Sequence, residues 1–185
     1  LKGSNVKNRL QLGVLYGLNG RLPEAAEEFT EVLYRTPTLE LERRMHRWAT
    51  GNFSEEGRDE AAPATTVDPE QLLTGSLVQR LLPPVCRKLL RKGLVALREG
   101  DEGRAEQCFA AACIGIPDSP VPYVYMAELQ ARRKSWFAAT LCLERAAALG
   151  YDGIARLVET KEFATLAEFP RVRRLVEAEA AREKK

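Results

Sequence analysis

Two 25-residue stretches of this chain repeat one pattern: GVLYGLNGRLPEAAEEFTEVLYRTP, Gly13 to Pro37, and GLVALREGDEGRAEQCFAAACIGIP, Gly93 to Pro117. Each has Gly at its first and eighth positions, Ala at the thirteenth, Phe at the seventeenth and Pro at the last. A pattern that survives in two places is a packing requirement, and it constrains the fold more than any local propensity does. In both copies the first part, Leu10 to Leu18 and Leu89 to Leu97, has apolar residues at helical spacing, and Gly20 or Gly100 then marks a helix end. A second helix begins near Pro23-Glu24 in one copy and near Asp101-Glu102 in the other, where Pro or an acid suits the first turn. It stops before Pro37 or Pro117, which cannot continue a helix. Each copy therefore reads as a helix-turn-helix hairpin. Gly13 with Ala25, and Gly93 with Ala105, are expected where the two helices cross closely, and Phe29 and Phe109 are expected to fill the space between one hairpin and the next.

These residues resemble the tetratricopeptide repeat, a 34-residue unit patterned Trp-x2-Leu-Gly-x2-Tyr, Ala-x3-Phe, Pro. The first copy matches with Leu12, Gly13, Tyr16, Ala25, Phe29 and Pro37, with Arg9 in the Trp place. The second matches with Gly93, Ala105, Phe109 and Pro117, with Leu89 and Ala96 in the two aromatic places and Lys92 where Leu is usual. A weaker third copy, from about Pro120, holds Tyr123, Met126, Ala127, Ala139 and Leu143 in register; Ala127 lies one period after Gly93. The resemblance implies an all-α solenoid of hairpins, a right-handed superhelix closed by C-terminal capping helices.

The 80 residues from Gly13 to Gly93 are two periods with a surplus of 12, which fits one degenerate repeat carrying an insertion. Its first helix is expected from Leu39 to about Thr50. Its second, DPEQLLTGSLVQRLL, is expected to be capped by Asp68 and closed by Pro83. The polar, acidic, aperiodic stretch 51–67 between them reads as an exposed loop. The units are then a first hairpin at 1–39, the degenerate repeat at 40–85, hairpins at 86–119 and 120–153, and a capping segment at 154–185. That last segment resembles the end of many bacterial tetratricopeptide arrays, with Phe163, Leu166, Phe169, Val172, Leu175 and Val176 expected to cover the final hairpin.

Composition narrows the function. With 29% charged residues and a net charge of only +2, the chain lacks the basic excess of a dedicated nucleic-acid binder. No run reaches the roughly 18 apolar residues of a membrane helix, and no signal segment opens the chain, so a cytoplasmic setting is expected, with periplasmic or membrane-complex settings left open. Cys86, Cys108, Cys113 and Cys142 form no Cys-x-x-Cys pair and read as reduced, buried small hydrophobes. The single histidine, His46, has no cysteine or carboxylate cluster at metal spacing. No phosphate loop or catalytic constellation can be drawn, so no enzyme activity, metal or cofactor is expected.

In the family, the first helix of each repeat lines a concave groove. By registration this implies Lys7, Leu10, Gln11, Val14 and Leu18, then Arg87, Leu90, Arg91, Leu94 and Arg98, then Val124, Tyr125, Glu128 and Arg132. The expected partner-binding residues are Leu10, Val14, Arg87, Arg91, Leu94, Arg98, Tyr125 and Arg132. They suit a protein or peptide segment with apolar anchors and acidic residues. The competing reading has Leu10, Leu90, Leu94 and Val124 packed against neighbouring helices. Arg87 and Arg91 resemble half of the carboxylate clamp of chaperone-tail binders, but apolar Leu10 and Val14 occupy the other places and weigh against that ligand. A structural or self-assembling subunit, its groove filled by another subunit, is the alternative role.

Overall fold

The computed structural model describes residues 2–36, 38–50, 72 and 75–183. Among these there is no strand, and nine α-helices follow one another: α1 (Lys2–Leu18), α2 (Leu22–Arg35), α3 (Thr38–Thr50), α4 (Gly75–Arg98), α5 (Glu102–Gly115), α6 (Val121–Arg132), α7 (Trp136–Ala148), α8 (Ile154–Val158) and α9 (Pro170–Glu183). A 3-10 turn, Ala164–Glu168, precedes α9. The expected insertion at 51–67 and the cap at Asp68 lie outside the described residues.

The turns of the three hairpins have one hydrogen-bonding scheme. The amides of Gly20 and Arg21 donate to the carbonyls of Gly17 and Tyr16; those of Gly100 and Asp101 to Leu97 and Ala96; those of Lys134 and Ser135 to Ala131 and Gln130. This is the Schellman arrangement, and it requires a left-handed residue just past the helix. Gly20 (φ 76°), Gly100 (φ 83°) and Lys134 (φ 59°) supply it. Each lies seven residues after Gly13, Gly93 or Ala127, so the third hairpin keeps the register even where glycine is lost. A lysine there bears the crowding of its Cβ against the backbone. Lys134→Gly is accordingly expected to stabilise the chain by up to about 1 kcal/mol, net of glycine's greater unfolded-state freedom. A lowered denaturation midpoint would contradict that account.

The chain divides into two compact units, one comprising residues up to Lys92 with Ile114–Ile116, the other Gly93–Cys113 with Pro117–Lys185. In the first, α1 packs on α2, and Phe29 is 1% exposed with its ring edge-on to Trp48 of α3 at 5.2 Å between centroids. Lys88 of α4 pairs with Glu27 of α2, and Lys92 with Glu31 at 2.9 Å while its ammonium sits 4.5 Å from the centre of the Tyr34 ring. Lys92 is the main reason the Glu31 carboxyl is held below its usual range, with Arg35 assisting.

The second unit repeats the theme. Phe109 is fully buried and stacks on Tyr125 of α6, with centroids 5.6 Å apart. Arg133 bridges Glu102 at 2.9 Å and Glu106 at 2.7 Å, tying the end of α6 to α5. Asp101 accepts the Arg104 amide at 2.9 Å and caps α5. The expectation that Phe29 and Phe109 each pack against the element following their hairpin agrees with these contacts.

The close crossing within each hairpin is tightest in the second copy. A Cβ on Gly93 would lie 2.6 Å from the Phe109 ring and 2.9 Å from the Cys108 Cβ, and Ala105 on the same helix is fully buried. At Gly13 the corresponding atoms, the Phe29 ring and the Glu28 Cβ, stand 3.3 Å away. The same substitution should therefore behave differently in the two copies. Gly13→Ala sets about 1 kcal/mol of helix propensity against a buried Phe29 ring that must give by a few tenths of an ångström, whereas Gly93→Ala drives its Cβ well inside contact distance of the Phe109 ring and the Cys108 Cβ. Gly93→Ala is expected to be less stable than Gly13→Ala by about 1–3 kcal/mol in urea denaturation.

The expected helix end at Pro83 is not found. α4 runs from Gly75 through Pro83 and Pro84 to Arg98. Each proline removes one amide donor, leaving the carbonyls of Gln79 and Arg80 without helical partners. Both of those residues are exposed, where water can satisfy the carbonyls, and the helix continues. The expected boundary between residues 85 and 86 thus falls inside one helix.

The C-terminal segment covers α6 and α7 as anticipated. Phe163, Leu166 and Val172 are buried with Ala127, Ala131, Ala139 and Leu143, and Phe169 and Leu175 pack against that cluster from its edge. Val176 is half-exposed and is not one of its members. Arg171 of α9 forks onto Glu144 of α7 with two 2.6 Å hydrogen bonds, and buried Glu179 accepts the Ala155 amide at 3.0 Å, capping α8 from 24 residues away.

Candidate functional site

Side chains that the packing leaves free are the ones available for recognition, and the expected site residues divide on that ground. On α1, Leu10 and Val14 are 6% and 1% exposed. They lie on the side of the helix that carries Gly13 and Gly17, which faces α2 and Leu77. This corrects the expectation that they line an open surface: both are core residues. Leu90 and Val124, at 5% and 8%, are core residues as well. Gln11 and Leu18 are exposed, while the Lys7 side chain lies outside what the structure describes.

On the first unit's part of α4, Arg87 and Arg91 are exposed one turn apart, where they share a helix face. Neither has a hydrogen bond, ion pair or ring contact among the described residues. Lys88 and Lys92 belong to the same basic run but are spent on Glu27 and Glu31. The sequence places six cations here, Arg80, Arg87, Lys88, Arg91, Lys92 and Arg98; among the described residues the structure separates Lys88 and Lys92, which tie α4 to α2, from the others.

In the second unit, Leu94 is half-buried and Arg98 exposed. Tyr125 is half-buried with its ring committed to the stack on Phe109. Arg132 is exposed but donates twice to one Glu128 oxygen, at 2.7 and 3.2 Å, and so is neutralised within its own helix.

Two recesses among the described residues hold less promise as a site. A cavity of about 10 Å³ lined by Phe29, Trp48, Val78, Leu81, Leu82 and Val85 is apolar and no larger than one water. A polar recess beside Tyr151, Asp152, Arg156 and Thr160 opens on the surface at the start of α8, where the Ala155 amide is already taken by Glu179. All four cysteines are free thiols. Cys86 and Cys108 are buried, and burial pushes the half-buried Cys113 thiol up to about 12, with Cys142 adding to the effect. At neutral pH that sulfur is a space-filling group rather than a nucleophile. Among the described residues no three His, Cys, Asp or Glu side chains gather as a metal site, and no helix is long and apolar enough to cross a membrane.

Comparison with known proteins finds no matching family model, no similar curated protein and no similar solved structure.

Proposed function

We propose that this chain is a non-enzymatic, tetratricopeptide-like adaptor that holds an acidic peptide or protein segment against the exposed arginines of α4. The reading is carried by one observation: Arg87 and Arg91 stand exposed and, among the described residues, unpaired, on a helix where Lys88 and Lys92 are engaged. Three hairpins with the same Schellman turn and the same buried phenylalanine or leucine register support the repeat reading. The part of α4 up to Lys92, packed into the first unit with these arginines exposed, offers a partner a preformed surface, so little ordering is lost on binding.

The experiment is affinity capture from native extract at two ionic strengths. A guanidinium-based surface should release its partner between about 0.1 M and 1 M salt, as the screening length falls from ~10 to ~3 Å. Capture that is indifferent to salt, or no capture at low salt, would overturn the assignment.

A second role, a structural subunit of a larger assembly, is favoured by α1. Its outward face carries Leu12, Leu15 and Leu18, 38–57% exposed, with exposed Asn8, Gln11 and Asn19 among them. Light scattering at several concentrations separates the two roles, since a chain that stays monomeric excludes self-assembly.

A further inference from the structure

The exposed cations of α4 continue towards its N-terminus, and their spacing specifies the geometry of what they bind. Arg80 is exposed and, like Arg87 and Arg91, has no hydrogen-bond, ion-pair or ring partner among the described residues. The three stand at i, i+7 and i+11. At about 100° per residue they fall within an arc of roughly 40°, a single line along the helix. With a rise of 1.5 Å per residue, the successive steps are about 10.5 and about 6 Å. Lys88 and Lys92, on the flank of this line, are masked by Glu27 and Glu31.

An extended chain presents carboxylates on one face every ~6.4–6.8 Å, so same-face steps are multiples of that length, and 10.5 Å falls between the first and second. A helix presents them at the same i, i+7, i+11 spacing as the arginines. Nucleic acid is disfavoured by the local charge. Beside the line a wide polyanion would meet only lysines already neutralised by Glu27 and Glu31, and the nearby Tyr34 ring, which base stacking would need, is covered by Lys92. We infer that the partner's binding element is an acidic α-helix laid along α4, with carboxylates at i, i+7 and i+11 paired to Arg80, Arg87 and Arg91. This rests on the adaptor reading and narrows it to one partner geometry.

The test uses two side-chain-stapled helical peptides of identical composition. One carries Glu at i, i+7 and i+11; in the other the same three Glu are distributed around the helix. Fluorescence anisotropy with the whole chain should show the aligned peptide binding on the order of tenfold more tightly, the sum of three modest exposed pairs. Arg80→Glu should erase the preference while leaving the far-ultraviolet circular dichroism unchanged, and Arg80→Lys should retain part of it. Equal binding of the two peptides would overturn the helical register. So would tighter binding of a single-stranded oligonucleotide of matched charge. Failure here is distinguishable from failure of the adaptor reading. If capture from extract remains salt-sensitive while the peptides bind equally, the register is wrong and the adaptor stands; if capture is also indifferent to salt, both fall.

Discussion

Phe109→Ala is expected to cost about 3–5 kcal/mol, a loss comparable with the whole stability of many domains. The ring is 0% exposed, lies directly against Gly93 of its own hairpin and stacks on Tyr125 of the next, so its removal opens a cavity at two packing contacts at once. Neither side is free to collapse into the space. Gly93 has no side chain to rotate inward, and α6 is held by the Arg133 bridges to Glu102 and Glu106. Urea denaturation should show a lower midpoint with a similar slope. Phe109→Leu, which retains most of the apolar volume, should recover part of the loss. A Phe109→Ala cost near that of an exposed-site substitution would mean that the repeat residues are not the packing elements described above.

The hairpins were legible in the sequence because their marks are local and chemically specific. A left-handed turn wants glycine, a helix start tolerates proline, and a helix end precedes it, so Gly20, Gly100, Pro23 and Pro117 could be read directly. Lys134 shows the limit of that logic: its left-handed backbone is imposed by the hairpin and leaves no trace in the residue type. Its one mark in the sequence is its distance of seven residues from Ala127. Pro83 shows the opposite failure, a strong local signal overruled because the carbonyl it orphans belongs to an exposed residue, Gln79.

The candidate site was less legible, for reasons of geometry. α1 is apolar on both faces, with Val14 inside and Leu15 outside, so hydrophobic pattern cannot tell which side is covered. Leu10 and Val14 were therefore placed on an open surface they do not reach. On α4 the six basic residues look alike in sequence. Which of them remain free depends on Glu27 and Glu31, 61 residues away along the chain. Arg80 is not among the expected site residues, because Pro83 reads in the sequence as the end of its helix and so sets it apart from Arg87.

The second large effect follows from that separation of structural from free cations. Changing Arg87 and Arg91 together to Glu places two negative charges where a partner's carboxylates would bind, so repulsion replaces attraction and capture should be abolished. Stability should barely move, within about 0.5 kcal/mol, because both side chains are exposed and have no partner to lose among the described residues. The control is Lys92→Glu, which breaks the contacts with Glu31 and Tyr34 and should lower the denaturation midpoint.

The most direct test is capture from native extract at about 0.1 M salt, where screening is weak, by the wild-type chain and by the Arg87→Glu, Arg91→Glu double variant, with the melting of each followed in parallel. The adaptor account predicts unchanged helicity and melting with loss of the captured partner. A double variant that melts normally and still captures the same partner would contradict it.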